Sequence, residues 1–131
     1  MALIEGVEGF RVELGVDSLS ASGTAVNYGT AIAWAAPPIE ASPTNRGNGS
    51  VDGDYVRCTS ATPCTAAQLT DVVAAKVHLL VRARDFSPGY TDTKTYNLGP
   101  TTLGPFNDNF KRHVFTSTVR FMNVSGRRET P

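Results

Sequence analysis

Two cysteines, two histidines and one oxygen-rich loop are the residues of this 131-residue chain from which chemistry would be built. Cys58 and Cys64 enclose Thr-Ser-Ala-Thr-Pro. Such a stretch can turn back far enough to bring two Cα atoms to disulfide distance. The spacing predicts a structural disulfide, and with it an oxidising compartment such as the periplasm or cell surface. On the chain-entropy account, closing so short a loop stabilises the fold by about 2 kcal/mol. The C-x-x-C redox spacing is absent, and zinc wants four ligands where neither histidine lies near the pair in sequence.

His78 falls among the charged positions of an alternating segment, and His113 stands beside Arg112 at the start of another. Both read as surface histidines rather than general bases. No Gly-x-Ser-x-Gly elbow, His-Glu-x-x-His, Walker loop or Gly-x-Gly-x-x-Gly occurs. With the cysteines bonded, no nucleophile–base set is left, so the expectation is a protein without catalytic residues, metal or cofactor. The loop Asn45-Arg-Gly-Asn-Gly-Ser-Val-Asp-Gly-Asp54 is rich in oxygen ligands and glycine, as calcium loops are. Gly47 stands where the EF-hand frame needs a ligand, and no Glu closes the loop. Tight turns are the favoured reading, with Asn48-Gly49 suited to positive φ, and calcium is the alternative.

These residues must be carried by strands and turns. Twelve glycines and eight prolines describe a turn-rich chain with short elements. Phe10, Val12, Leu14 and Val16 alternate with Arg11, Glu13, Gly15 and Asp17, the period of two that marks a strand with one buried face. Thr65-Ala-Ala-Gln68 has the form of a capping box opening a short helix. A strand at about 74–84 follows, in which Val77, Leu79 and Val81 alternate with Lys76, His78 and Arg82. Leu80 alone breaks its polar face. Lys76, Arg82 and Arg84 on that face are the candidate interface residues. Pro88-Gly89 suits a type II turn, Thr93–Leu98 is β-prone and is expected to pair back on the preceding strand, and the stretch bounded by Gly99-Pro100 and Gly104-Pro105 reads as a loop. A last strand spans 112–124, and the polar tail after it is expected to fray.

Residues 18–50 read as a long ordered loop, with a short strand around Tyr28 or Trp34, breakers at Pro37-Pro38 and Trp34 as a core plug. The expected core is Phe10, Leu14, Val77, Leu79, Val81, Phe115, Val119 and Phe121. Together these elements predict one α+β domain over 1–131, mainly antiparallel β-sheet with a short helix and long loops.

Formal charge is zero overall but divided. Residues 1–56 carry Glu5, Glu8, Glu13, Asp17, Glu40, Asp52 and Asp54 against Arg11 and Arg46, and residues 57–131 carry the opposite excess. Two readings stand: attraction between the halves within one fold, or a two-sided surface that favours head-to-tail stacking of subunits. The bases are not interleaved with aromatics as in nucleic-acid surfaces, so no nucleic-acid partner is expected. No apolar run approaches the ~20 residues that span a bilayer.

Three stretches in order resemble the C-terminal domain of PilW-type minor pilins, assembly proteins of the type IV pilus. They are Leu3–Asp17, ending in Gly-Val-Asp; Asp71-Val-Val-Ala-Ala-Lys-Val-His-Leu-Leu-Val-Arg-Ala-Arg84; and Lys111-Arg-His-Val-Phe-Thr-Ser-Thr-Val-Arg-Phe-Met-Asn123. The type II secretion pseudopilin GspJ is similar. The resemblance implies a pilin-like fold, export to the periplasm or pilus surface, and other minor pilins and pilus subunits as partners at the pilus tip. It also implies membrane contact only through an N-terminal apolar helix outside this sequence, which would anchor the protein in the inner membrane before assembly. Met122 stands where an Arg often precedes the Asn. An adhesin-like binding module at the tip is the alternative function.

Overall fold

A computed structural model describes residues 5–36 and 43–122. Pro37-Pro38, the polar tail from Ser125 and the last two residues of the strand expected over 112–124 lie outside the described residues. In chain order the elements are β1 (Val7–Val16), α1 (Ala66–Thr70), β2 (Val72–Arg82), β3 (Tyr96–Leu98), β4 (Thr101–Leu103) and β5 (Arg112–Arg120). β1, β2 and β5 form one sheet in the order β1-β2-β5, and β3 and β4 form a two-stranded sheet.

The registers follow from hydrogen bonds at the strand ends. Arg82 N donates to Gly6 O, and Asp17 N to Asp71 O, so β1 and β2 run antiparallel. Ala83 N to Lys111 O and Phe121 N to Val73 O make β2 and β5 antiparallel as well. The architecture is therefore α+β, mainly antiparallel sheet with one short helix. That helix starts as its sequence dictates: the Thr65 hydroxyl accepts from Gln68 N, while the Gln68 side chain accepts from Thr65 N.

Packing divides the chain into two units, residues 1–12 with 76–117 and residues 13–75 with 118–131. In the first, Leu80, Tyr96 and Leu98 form the buried cluster, with Leu103 and Val114 packed against it. Tyr96 pairs with Leu103 and Leu98 with Thr101 across the β3–β4 hairpin, which brings Tyr96, Leu98 and Leu103 to Leu80. Gly9 permits this approach, because a Cβ there would lie 2.9 Å from Leu103 Cδ1 and 3.0 Å from Leu98 Cδ2. Pro88-Gly89 forms its turn, with Gly89 at φ 78° and Tyr90 N donating to Ser87 O. Two expectations are corrected here. Tyr96–Leu98 pairs forward with Thr101–Leu103, not back on β2, and the stretch read as a loop after Gly99 holds β4.

The expected core is also corrected. Leu80 is fully buried and His78 nearly so, while Val77, Leu79 and Val81, which alternate with them, are only half-buried. Phe10 and Phe115 remain 55% and 54% exposed, Val119 and Phe121 are exposed, and Leu14 is half-buried. Side chains two apart share a face of a strand, so the apolar row chosen by alternation is a real face. It is simply not the face that the β3–β4 hairpin covers.

In the second unit, Leu14 and Val56 form an isolated antiparallel bridge, and Cys58 is bonded to Cys64 with Cα atoms 5.0 Å apart. The stretch after β1 is ordered by polar side chains. Arg46 donates to Asn27 O and Thr30 O, and Asn45 donates to Ala31 O. Among the described residues no strand forms around Tyr28 or Trp34. Trp34 only bridges Pro43 and is about half exposed, so it is not a core plug.

Candidate interaction surface

One guanidinium organises the first unit. β5 begins at Arg112, whose side chain is 1% exposed. Its Nη1 donates to Asp92 Oδ2 at 2.8 Å and to Asp108 Oδ1 at 2.7 Å. Nη2 reaches Asp108 Oδ2 at 2.6 Å, and Nε reaches Glu8 Oε2 at 2.5 Å. Phe106 stacks on the guanidinium, 3.9 Å from ring centroid to Cζ. Arginine suits this position because its planar fork can serve several carboxylates while staying charged.

Asp92 is fully buried and accepts from the hydroxyls of Tyr96 at 2.9 Å and Tyr90 at 3.2 Å. Burial pushes its carboxyl up, but bonds from Arg112, Tyr96, Lys94 N and Tyr90 together hold it below the usual value. The hydrogen bond from Arg112 lowers Asp108 to about 2, against the opposing effect of burial. Burial and the Asp92 carboxylate push Tyr96 up to about 12. Arg112 itself is held more firmly protonated, chiefly by Asp108. The consequence is structural: the segment from Tyr90 to Phe110 closes around one ion cluster beside a small apolar core.

His78 is corrected by the same packing. It is buried, not on the surface, and its Nδ1 lies 3.0 Å from the Thr116 hydroxyl. His113 is exposed, with its ring edge-on to Phe115 at 4.6 Å. The candidate interface cations fare differently. Arg82 bonds Glu8 at 3.3 Å and lies over Phe110, Lys76 is half-buried, and Arg84 is exposed. A reversal of Lys76 and Arg82 would therefore disturb the fold, and is a poor probe of surface function.

A shallow apolar groove of about 300 Å³ opens beside this cluster, lined by Val81, Ala83 and Phe115 with Arg82, Lys111 and His113. Sequence reading found Phe115 and Val81 but missed Arg112 and its carboxylates. The Asp108/Arg112 spacing was a local signal for one pair. Nothing local pointed to Glu8, whose partner lies 104 residues away.

In the second unit the oxygen-rich loop is built round an acid. Asp17 is fully buried and accepts from Asn48 N at 3.2 Å and Gly49 N at 2.8 Å. A Cβ on Gly47 would fall 2.2 Å from Asp17 Oδ2, and Gly49 sits at φ 78°. Asp52 in turn accepts from Leu19 N at 2.7 Å. The loop's amides converge on a carboxylate, an arrangement of tight turns rather than a cage of outward oxygens. Among the described residues no group of three acids, histidines or cysteines is placed to hold a metal.

The fold defines an α+β protein, mainly antiparallel sheet, that leaves Phe10 and Phe115 exposed. The chain belongs to the family described as type IV pilus-assembly protein W, whose pattern matches residues 1–123. No curated protein and no solved structure matches it. Membership assigns the chain a role in type IV pilus assembly, among pilus components; the family suggests a periplasmic or pilus-associated location and is described by assembly, not by a catalysed reaction. No helix among the described residues is long and apolar enough to cross a membrane.

Proposed function

We propose that this chain is a structural minor-pilin domain with a pilin-like fold, which contributes to assembly or priming at the pilus tip through protein–protein contacts. The observation that carries the reading is the open apolar row of the first unit. Val77, Leu79 and Val81 of β2 are half-buried and Phe115 of β5 is exposed, beside a basic rim that includes Lys111. An apolar row edged by charge is what a subunit interface needs. Arg84 is the member of the expected charged row that is left exposed. The whole of 1–131 acts as one assembly module, held in the inner membrane by an N-terminal helix outside this sequence until it enters the pilus.

Co-isolation tests the proposal. Recovered from cell envelopes, the protein should bring other minor pilins with it. Recovery with a host or surface glycan, and without pilins, would favour an adhesin.

A further inference from the structure

The outer edge of β5 has a construction that the apolar row does not explain. β5 is a terminal strand of its sheet, and within the first unit it contributes Arg112 to Ser117. Ala83 N donates to Lys111 O, so Lys111 turns its backbone polar groups towards β2. Backbone direction alternates along a strand. The N–H and C=O groups of Val114 and Thr116 therefore point away from β2, to the open side. Among the described residues, no strand or isolated bridge pairs with that side.

Natural sheets blunt such edges with proline, bulges, inward charges or very short strands. Here His113-Val-Phe-Thr-Ser117 has no proline or glycine and is rich in strand-forming residues. The inner side is firmly held: Val114 packs on the core, and Thr116 meets His78. The edge is thus strand-prone and, among the described residues, uncovered, with Lys111 as the charge at its start. From Lys111 to Ser117 the segment carries no acid. Arg112 is taken up by Glu8, Asp92 and Asp108 and Arg82 by Glu8, so the exposed base left at this edge is Lys111, which lines the adjoining apolar groove.

We propose that this edge accepts an extended, acid-bearing segment of another protein as an additional strand. Backbone bonds to Val114 and Thr116 fix its register. An apolar side chain two positions along lies beside Phe115 in the groove, and an acidic residue meets Lys111. A second copy would meet this edge with like charge. The inference deepens the assembly reading above by naming the kind of partner segment, and it fails separately, because its test uses purified protein and not pili.

The probe is a short alternating Thr/Val peptide flanked by Glu, with alternate residues N-methylated to block its other edge. Hydrogen exchange is followed at the Val114 and Thr116 amides. In the protein alone both should exchange quickly, and the peptide should protect both while leaving the amides of the second unit unchanged. A Lys-flanked peptide should bind about fivefold more weakly, and Lys111→Glu should reverse that preference, the scale of an exposed ion pair turned to repulsion. Thr116→Pro should abolish protection, whereas Thr116→Val, which loses the same side-chain bond to His78 but keeps the N–H, should retain it.

Three results overturn the proposal. Slow exchange at both amides in the dilute protein alone would show the edge already paired. Protection that appears with protein concentration and without peptide would assign the edge to a second copy. Absence of protection by the Glu-flanked peptide, with the fold intact, would leave no strand-addition site here.

Discussion

Replacing Arg112 with Leu should cost about 3–5 kcal/mol of stability, the usual penalty for stripping the partner from a buried charge. Asp92 is fully buried, and Arg112 is its ionic partner. The same substitution strands Asp108 and the Nε partner Glu8. Arg112→Lys should recover only part of the loss, because an ammonium cannot bond all three carboxylates in the plane of a fork. Thermal melting measures the loss, and hydrogen exchange should locate it in residues 90–110. Parental melting of Arg112→Leu would show that the ion cluster does not hold this segment.

The cluster also sets the response to acid. Asp108 is lowered from the ordinary carboxylate value to about 2, and Asp92 is lowered as well. A carboxylate with a depressed folded-state pKa contributes stability above its unfolded pKa, and that contribution disappears as pH falls through the folded value. The parent should therefore keep this contribution through mild acid and lose it in the window from about 4 down to about 2. Arg112→Leu should flatten the dependence across that window.

Leu80→Ala should be the costliest truncation among the apolar side chains of the first unit, by about 2–5 kcal/mol. Leu80 is fully buried against Tyr96, Leu98, Leu103 and Val114. Phe115→Ala, at a side chain more than half exposed, should cost far less, because little surface returns to water. Equal losses for the two would mean that the face carrying Phe115 is covered in the folded protein.

That contrast shows how far the sequence could be read. Alternation located β1, β2 and β5, and the Thr65/Gln68 pair located α1, because both signals are local. Alternation also grouped Val77, Leu79, Val81 and Phe115 correctly on faces. It could not say which face the rest of the chain covers, since that depends on where the β3–β4 hairpin lands. Leu80 looked like an interruption of a polar face and is the centre of the core. Its neighbour His78 was drawn inside with it, where Thr116 meets its ring. The hairpin itself was hidden because three-residue strands joined across Gly99 carry too little periodicity to register. Arg112 was equally hidden: its partners at 8, 92 and 108 are assembled by the fold, and no window along the chain contains them all.

The most direct test of an assembly role places Phe115→Asp with Lys111→Glu in the protein as the cell makes it, and counts pili. Both side chains are exposed, so the double variant should accumulate and melt like the parent. The account predicts that cells producing it assemble few or no pili, as cells lacking the protein would. Normal numbers of pili, with the variant present at parental level and functional pili dependent on the gene, would contradict the claim that this surface makes the contacts on which assembly rests.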